Sequence, residues 1–134
     1  MTAQVSSSAE PSKAMLWTGR ILSLIPTLML LFSASMKLMH GPQVVEGFTK
    51  FGYAEKVITP LGVVEVLCAL IYAIPQTSVL GAILCTGYLG GAIATHVRAG
   101  EGFAPALILG VIVWAGLFLR DRRLQALLPL RRMA

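Results

Sequence analysis

Polar positions are the exception along most of this chain. Apolar runs extend over about Leu16 to Met39, Val57 to Ile74, Ser78 to His96 and Ala104 to Leu119. Each approaches the roughly twenty residues a helix needs to cross a hydrocarbon core about 30 Å thick. The fourth is the shortest, about 24 Å at 1.5 Å per residue, so it relies on Trp114, on flanking arginines or on a locally thinned bilayer. The helix breakers fall between the runs: Gly41-Pro42 closes the first, Pro75 ends the second, and Gly100 to Pro105 separates the third from the fourth. Pro26 is expected to kink the first helix, whereas Pro60, in the first turn of the second, is easily tolerated. Pro75-Gln76-Thr77 is short enough to make helices two and three an antiparallel hairpin. The pattern predicts an all-α integral membrane protein, a four-helix up-down bundle.

Composition agrees with that pattern. Of 134 residues, 56% are hydrophobic and 13% charged, against about a quarter charged in ordinary soluble domains. The net charge of +5 does not imply nucleic acid, because the basic residues cluster at segment ends with no aromatic interleaving that would stack bases. It orients the bundle instead. Lys13, Arg20, Arg120, Arg122, Arg123, Arg131 and Arg132 fall on one side, and Lys37, Lys50, Lys56 and Arg98 on the other. Both termini are therefore expected in the cytoplasm, as for a bacterial inner-membrane protein.

Residues 1–15 are expected to form a disordered cytoplasmic leader that is not removed, residues 16–119 the membrane domain, and residues 120–134 a basic cytoplasmic tail. The loop from His40 to Lys56 then faces outward, and its Phe48, Phe51 and Tyr53 suggest an amphipathic segment in the interface that caps the bundle. Cys68 and Cys85 lie inside apolar runs without metal-ligand spacing, so they are expected to pack rather than to hold zinc or form a secreted disulfide framework.

The polar residues inside the spans carry the chemistry. Ser33, Lys37 and His40 share a face near the outer end of the first helix, spaced by four and then three residues. Glu65 lies near the middle of the second helix, where an ionisable group must find a partner or take up a proton. In the hairpin, residues whose numbers add to 153 stand at equal depth, which pairs Glu65 with Tyr88 and Cys68 with Cys85. Tyr88 and His96 share a face of the third helix, so a polar column from His96 down to Glu65 is an expectation. Lys37 is the other candidate partner. Helix rise puts it on the order of 10 to 15 Å from Glu65, which leaves room for a bridging Ser33 or Tyr88, for water or for substrate.

Each of these residues has a plainer reading beside it. Lys37 fits a snorkelling anchor, His40 a loop residue beside Gly-Pro, and Glu65 a hydrogen bond stitching helices together. His96 and Arg98 fit a polar cap among lipid headgroups. Gly87 and Gly91 form a GxxxG pattern read as close helix packing, with a homodimer face as its further use.

The stretches FSASMKLMHG, LGVVEVLCAL and GGAIATHVRAGEGF, in that order on successive helices, resemble the DoxX-like family of small four-helix membrane proteins over about Leu16 to Leu119. The resemblance places Lys37, Glu65 and His96 on the polar positions of the family's bundle, with Arg98 and Glu101 at its outer end. It implies membrane oxidoreductase or oxidative-stress systems, including a thiosulfate:quinone oxidoreductase subunit, while other relatives act as membrane chaperones. The chain has no soluble redox domain, no haem-binding histidine pair and no flavin or nicotinamide motif, so a diffusible quinone or an oxidoreductase partner subunit would have to complete any redox reaction.

The expected activity is thus a membrane subunit or lipophilic, quinone-like ligand site using Lys37, Glu65 and His96 for proton chemistry, with Ser33, Tyr88, His40 and Arg98 as ligand-binding groups and no metal. The alternative is a membrane-embedded acid-base enzyme of isomerase or hydratase type on a lipophilic substrate. A proton-coupled exporter ranks lower because its essential glutamate would sit in the first helix, and a chaperone would declare itself by a co-purifying membrane partner.

Overall fold

A computed structural model describes residues 12–131, so the first part of the expected leader and the last three residues of the expected tail lie outside the described residues. Six α-helices follow one another, with no strand among the described residues: α1 (Lys13–Met39), α2 (Pro42–Lys50), α3 (Ile58–Ala73), α4 (Ser78–Ala99), α5 (Ala104–Arg120) and α6 (Arg122–Leu127). α1, α3 taken with the 3₁₀ turn before it (Glu55–Ala73), and α4 taken with the turn before it (Pro75–Ala99) are long and apolar enough to cross a membrane, and Ala104–Arg120 is a shorter apolar helix.

The boundaries follow from local chemistry. Ser12 caps α1 by accepting from the Met15 N–H at 3.2 Å. At the other end His40 adopts a left-handed conformation, φ 57°, and returns its N–H to the Lys37 carbonyl. Pro42 starts α2 where its missing N–H costs nothing. Ile74, forced toward extended backbone by Pro75, ends α3. A single 3₁₀ turn, Pro75–Thr77, then leads into α4. The carbonyls left open there are met by hydroxyls: Thr77 Oγ1 donates to Ile71 O at 2.7 Å, and Ser78 Oγ to Tyr72 O at 2.9 Å. Gly100, φ 72°, closes α4.

α1 packs against α3 and α5, α4 packs against the same two helices, and the four form a ring. Its core is lined by Leu30, Cys68, Ala69, Tyr72, Ala82, Cys85, Leu89, Val113 and Leu117, all buried. Outside the ring the arrangement is the reverse of a soluble protein's. Trp17, Ile21, Leu24, Leu28, Phe32, Leu67, Leu80, Ile83, Ile108 and Val111 are each more than half exposed. An apolar surface of that extent needs hydrocarbon rather than water around it.

The hairpin arithmetic holds in the contacts, since Cys85 Sγ reaches the Cys68 carbonyl at 3.6 Å and both cysteines are free and buried. The expectation for Gly87 and Gly91 needs correction. Nothing lies within 4 Å of a Cβ built at either, so neither brings another helix of this chain close. Close approach occurs instead at Gly81, where a Cβ would collide with the Tyr72 backbone, and at Gly116, where it would lie 2.8 Å from Ser23 N.

Candidate functional site

Lys37 and Glu65 are in direct contact, with Lys37 Nζ 2.8 Å from Glu65 Oε2. The helix-rise figure overstates their separation because α1 and α3 meet one turn away from where it puts them. A Cβ on Gly62 would lie 3.1 Å from Lys37 Cβ, so the root of the lysine is level with Gly62 rather than well above Glu65. Three residues of α3 then rise about 4.5 Å, which a lysine side chain spans readily. Glycine at 62 is what permits this register.

The pair is secluded. The side chains of Lys37 and Glu65 are 14% and 3% exposed, so each charge must offset the desolvation of the other. Lys37 Nζ also donates to Ser33 Oγ at 2.8 Å, one helical turn back on α1. The Tyr88 phenol, from α4, stands close enough to Glu65 to interact with its carboxylate. An ammonium group carries three N–H donors, and Glu65 and Ser33 occupy two.

A cleft of about 400 Å³ runs between α1 and α2, lined by Met29, Phe32, Ser33, Met36, Lys37, Gln43, Val44, Gly47, Phe48 and Phe51. Methionine and phenylalanine dominate its lining, and Lys37, Ser33 and Gln43 are the polar residues along it. Such a wall suits a flat apolar ligand with a few oxygen atoms. The lining residues of α2 were not legible in the sequence beyond their aromatic character, because nothing in the pattern says which face of α2 turns toward α1.

His96, His40 and Arg98 do not join this group. His96 Nδ1 lies 2.7 Å from the Ala92 carbonyl, which can only accept, so Nδ1 carries the proton; the ring packs against Phe51 at 5.0 Å. No hydrogen bond connects His96 to Tyr88 or Glu65 among the described residues, and the expected polar column does not form. His40 Nε2 meets Glu55 Oε1 at 2.9 Å at the surface. Arg98 donates to the Phe51 carbonyl at 2.8 Å. With Tyr53 OH on Thr95 Oγ1 at 2.7 Å and Lys50 on Glu101 at 2.7 Å, these contacts fasten the far end of α2 to the end of α4. Thus they hold the cleft wall: Phe51 belongs both to the fastening and to the lining.

The Lys50–Glu101 contact leaves an electrostatic mark on both partners. The hydrogen bond and then the charge of Lys50 hold the Glu101 carboxyl below its ordinary range, and the same two effects from Glu101 raise Lys50.

A second polar group, not anticipated from sequence, lies near the other end of the ring. Tyr72 OH donates to the Val113 carbonyl at 2.7 Å and lies 3.1 Å from Ser23 Oγ, whose hydroxyl can donate to it. Arg120 Nε donates to Ser23 Oγ at 3.0 Å and Nη2 to Ser78 Oγ at 3.3 Å, with the guanidinium over the Tyr72 ring. One knot thereby touches α1, α3, α4 and α5. The available signal was a tyrosine with a polar tip inside an apolar helix, which is usually hydrogen-bonded when buried. No group of three or more His, Cys, Asp or Glu able to hold a metal ion occurs among the described residues.

Comparison with known proteins gives one result. The model of the DoxX-like family matches residues 21–118, which takes in α2, α3, α4, nearly all of α5 and the larger part of α1. No curated protein and no solved structure matches the chain.

Proposed function

This integral membrane protein belongs to the DoxX-like family, and we propose that it binds a lipophilic, quinone-like molecule in the cleft beside Lys37, as the membrane subunit of an oxidoreductase or oxidative-stress system. The observation that carries this reading is the junction of an apolar cleft with a lysine that has one donor to spare. A ligand carbonyl would accept from Lys37 Nζ, with Ser33 and Gln43 as secondary contacts and Phe48 and Phe51 against the ring. Lys37 and Glu65, already sharing a hydrogen bond, form a short path for a proton to or from that oxygen. A quinone supplies two-electron chemistry when bound, and a partner oxidoreductase subunit would supply the electrons.

The proposal includes an up-down passage of α1, α3, α4 and α5 through a bacterial inner membrane with both termini cytoplasmic. The excess of Lys and Arg beside α1's start and α5's end supports that orientation. His96, His40 and Arg98 then act on the outer cover of the cleft rather than on the ligand. A homodimer is compatible with the bare Gly87 and Gly91 face.

The test is equilibrium binding of a short-tailed benzoquinone to protein in lipid nanodiscs. Saturable binding that Lys37→Met weakens at least roughly tenfold supports the reading, since a hydrogen bond to a charged group is worth about 1.5 to 3 kcal/mol. Absence of saturable binding refutes it. The Lys37–Glu65 pair would equally serve an acid-base reaction on a lipophilic substrate, and conversion of the ligand without any electron acceptor or donor would favour that second reading.

A further inference from the structure

Several hydroxyls inside the spans are used up by their own helices. Thr27, Ser35, Thr86 and Thr95 each donate to a carbonyl three or four residues earlier, at 2.6 to 2.9 Å. Ser33 differs. Its Oγ accepts from Lys37 Nζ at 2.8 Å, and among the described residues its O–H donates to no carbonyl or side chain. Ser33 and Lys37 both line the cleft between α1 and α2. A serine side chain is one carbon and one hydroxyl, so its unspent hydrogen is available to an occupant of that cleft.

The two groups are one-sided in what they offer a ligand. An ammonium has three N–H donors and no lone pair. A hydroxyl that already accepts from an ammonium is polarised toward donating, because each bond in such a chain strengthens the next. Glu65, the strong acceptor of the pair, is buried, spends Oε2 on Lys37 and does not line the cleft. Gln43 can donate or accept, so it does not decide between ligands. A carbonyl oxygen only accepts and suits both Ser33 and Lys37. A hydroxyl in the same place brings a hydrogen that neither is suited to receive, and a donor left unmet in an apolar cleft is costly. We propose that Ser33 and Lys37 make the cleft selective for the carbonyl-bearing, oxidised form of its ligand over the hydroxyl-bearing, reduced form. The site thus takes up the oxidised form and lets the reduced one go. This selectivity rests on the cleft being the ligand site.

The experiment compares equilibrium binding of a short-tailed benzoquinone and its matching hydroquinone, kept reduced without oxygen, to the wild type and to Ser33→Ala in lipid nanodiscs, with empty nanodiscs as the partition control. The wild type binds the quinone at least roughly tenfold more tightly than the hydroquinone, the cost of an unmet buried donor. Ser33→Ala weakens quinone binding roughly threefold or more, the loss of one hydrogen bond, and changes hydroquinone binding less, so the ratio shrinks. A merely structural serine would shift both ligands alike. Equal wild-type affinities, a preference for the hydroquinone, or an unchanged ratio in Ser33→Ala overturns the selectivity while leaving the cleft as a ligand site. Saturable binding of neither form overturns the ligand site and the selectivity together. The wild-type ratio needs no variant, so it decides the matter even if Ser33→Ala fails to fold.

Discussion

The two polar knots of this bundle are built on opposite terms. Around Lys37 and Glu65 a full positive and a full negative charge meet, and one side of the lysine opens on a cleft. Around Arg120 a single positive charge meets hydroxyls and an aromatic ring, and glycines pull the helices tight about it. Neutral hydroxyls between helices suffice for holding them together. A buried ion pair is a poor way to gain stability, because desolvation consumes most of the attraction. Its presence at the open knot is therefore better explained by use than by cohesion.

The largest effect belongs to the closed knot. A Cβ at Gly81 would overlap the Tyr72 backbone, and one at Gly116 would crowd Ser23, so Gly81→Ala and Gly116→Ala each cost about 3 kcal/mol or prevent accumulation. Gly87→Ala, with nothing within 4 Å, leaves the thermal unfolding midpoint in detergent unchanged. If all three behave alike, the tight approach is misplaced.

Next comes the open knot. Glu65→Leu strands the Lys37 ammonium and costs about 3 kcal/mol, whereas Lys37→Met/Glu65→Leu together return to within about 1 kcal/mol of wild type. Unfolding of both variants in one detergent checks this. A double variant as unstable as the single one would make the pair a structural element and erase the contrast.

Tyr72→Phe removes the hydroxyl that donates to the Val113 carbonyl and meets Ser23 Oγ in the closed knot. It costs about 1 to 2 kcal/mol, since the buried carbonyl and the Ser23 hydroxyl each lose a partner, and it leaves quinone binding at the other knot intact.

Smallest is the fastening of α2 through Lys50 and Glu101. Glu101 is depressed below its ordinary 4.5, so its contribution is present above that value and fades as pH falls through the lower folded pKa. Lys50 is raised above 10.5, so its contribution is whole below that value and fades as pH rises through the higher folded pKa. A spin label at position 46 on α2 is thus least mobile between those limits, and Glu101→Gln removes the dependence on acid.

What the sequence made legible was set by how short the connections are. The four apolar runs appear as helices within three residues of the expected limits, and the three-residue turn after α3 fixes the depth match that brings Cys85 to Cys68 and Tyr88 to Glu65. The partner of Glu65 was among the candidates, but its distance was not, because α1 and α3 are joined by a long loop and their register depends on Gly62 meeting Lys37. The Arg120 knot was out of reach for the same reason: Ser23 and Arg120 are 97 residues apart, and no turn geometry relates their helices. His96 was misplaced because depth along α4 predicts level but not which neighbour the ring turns to, and Phe51 takes it.

On this reading the Lys37–Glu65 knot exists to serve a ligand. The most direct measurement is benzoquinone binding in nanodiscs by the Lys37→Met/Glu65→Leu variant beside the wild type, both shown folded by their unfolding midpoints. The expected result is a stable double variant that has lost saturable binding. A stable double variant that binds the quinone as tightly as wild type would contradict it.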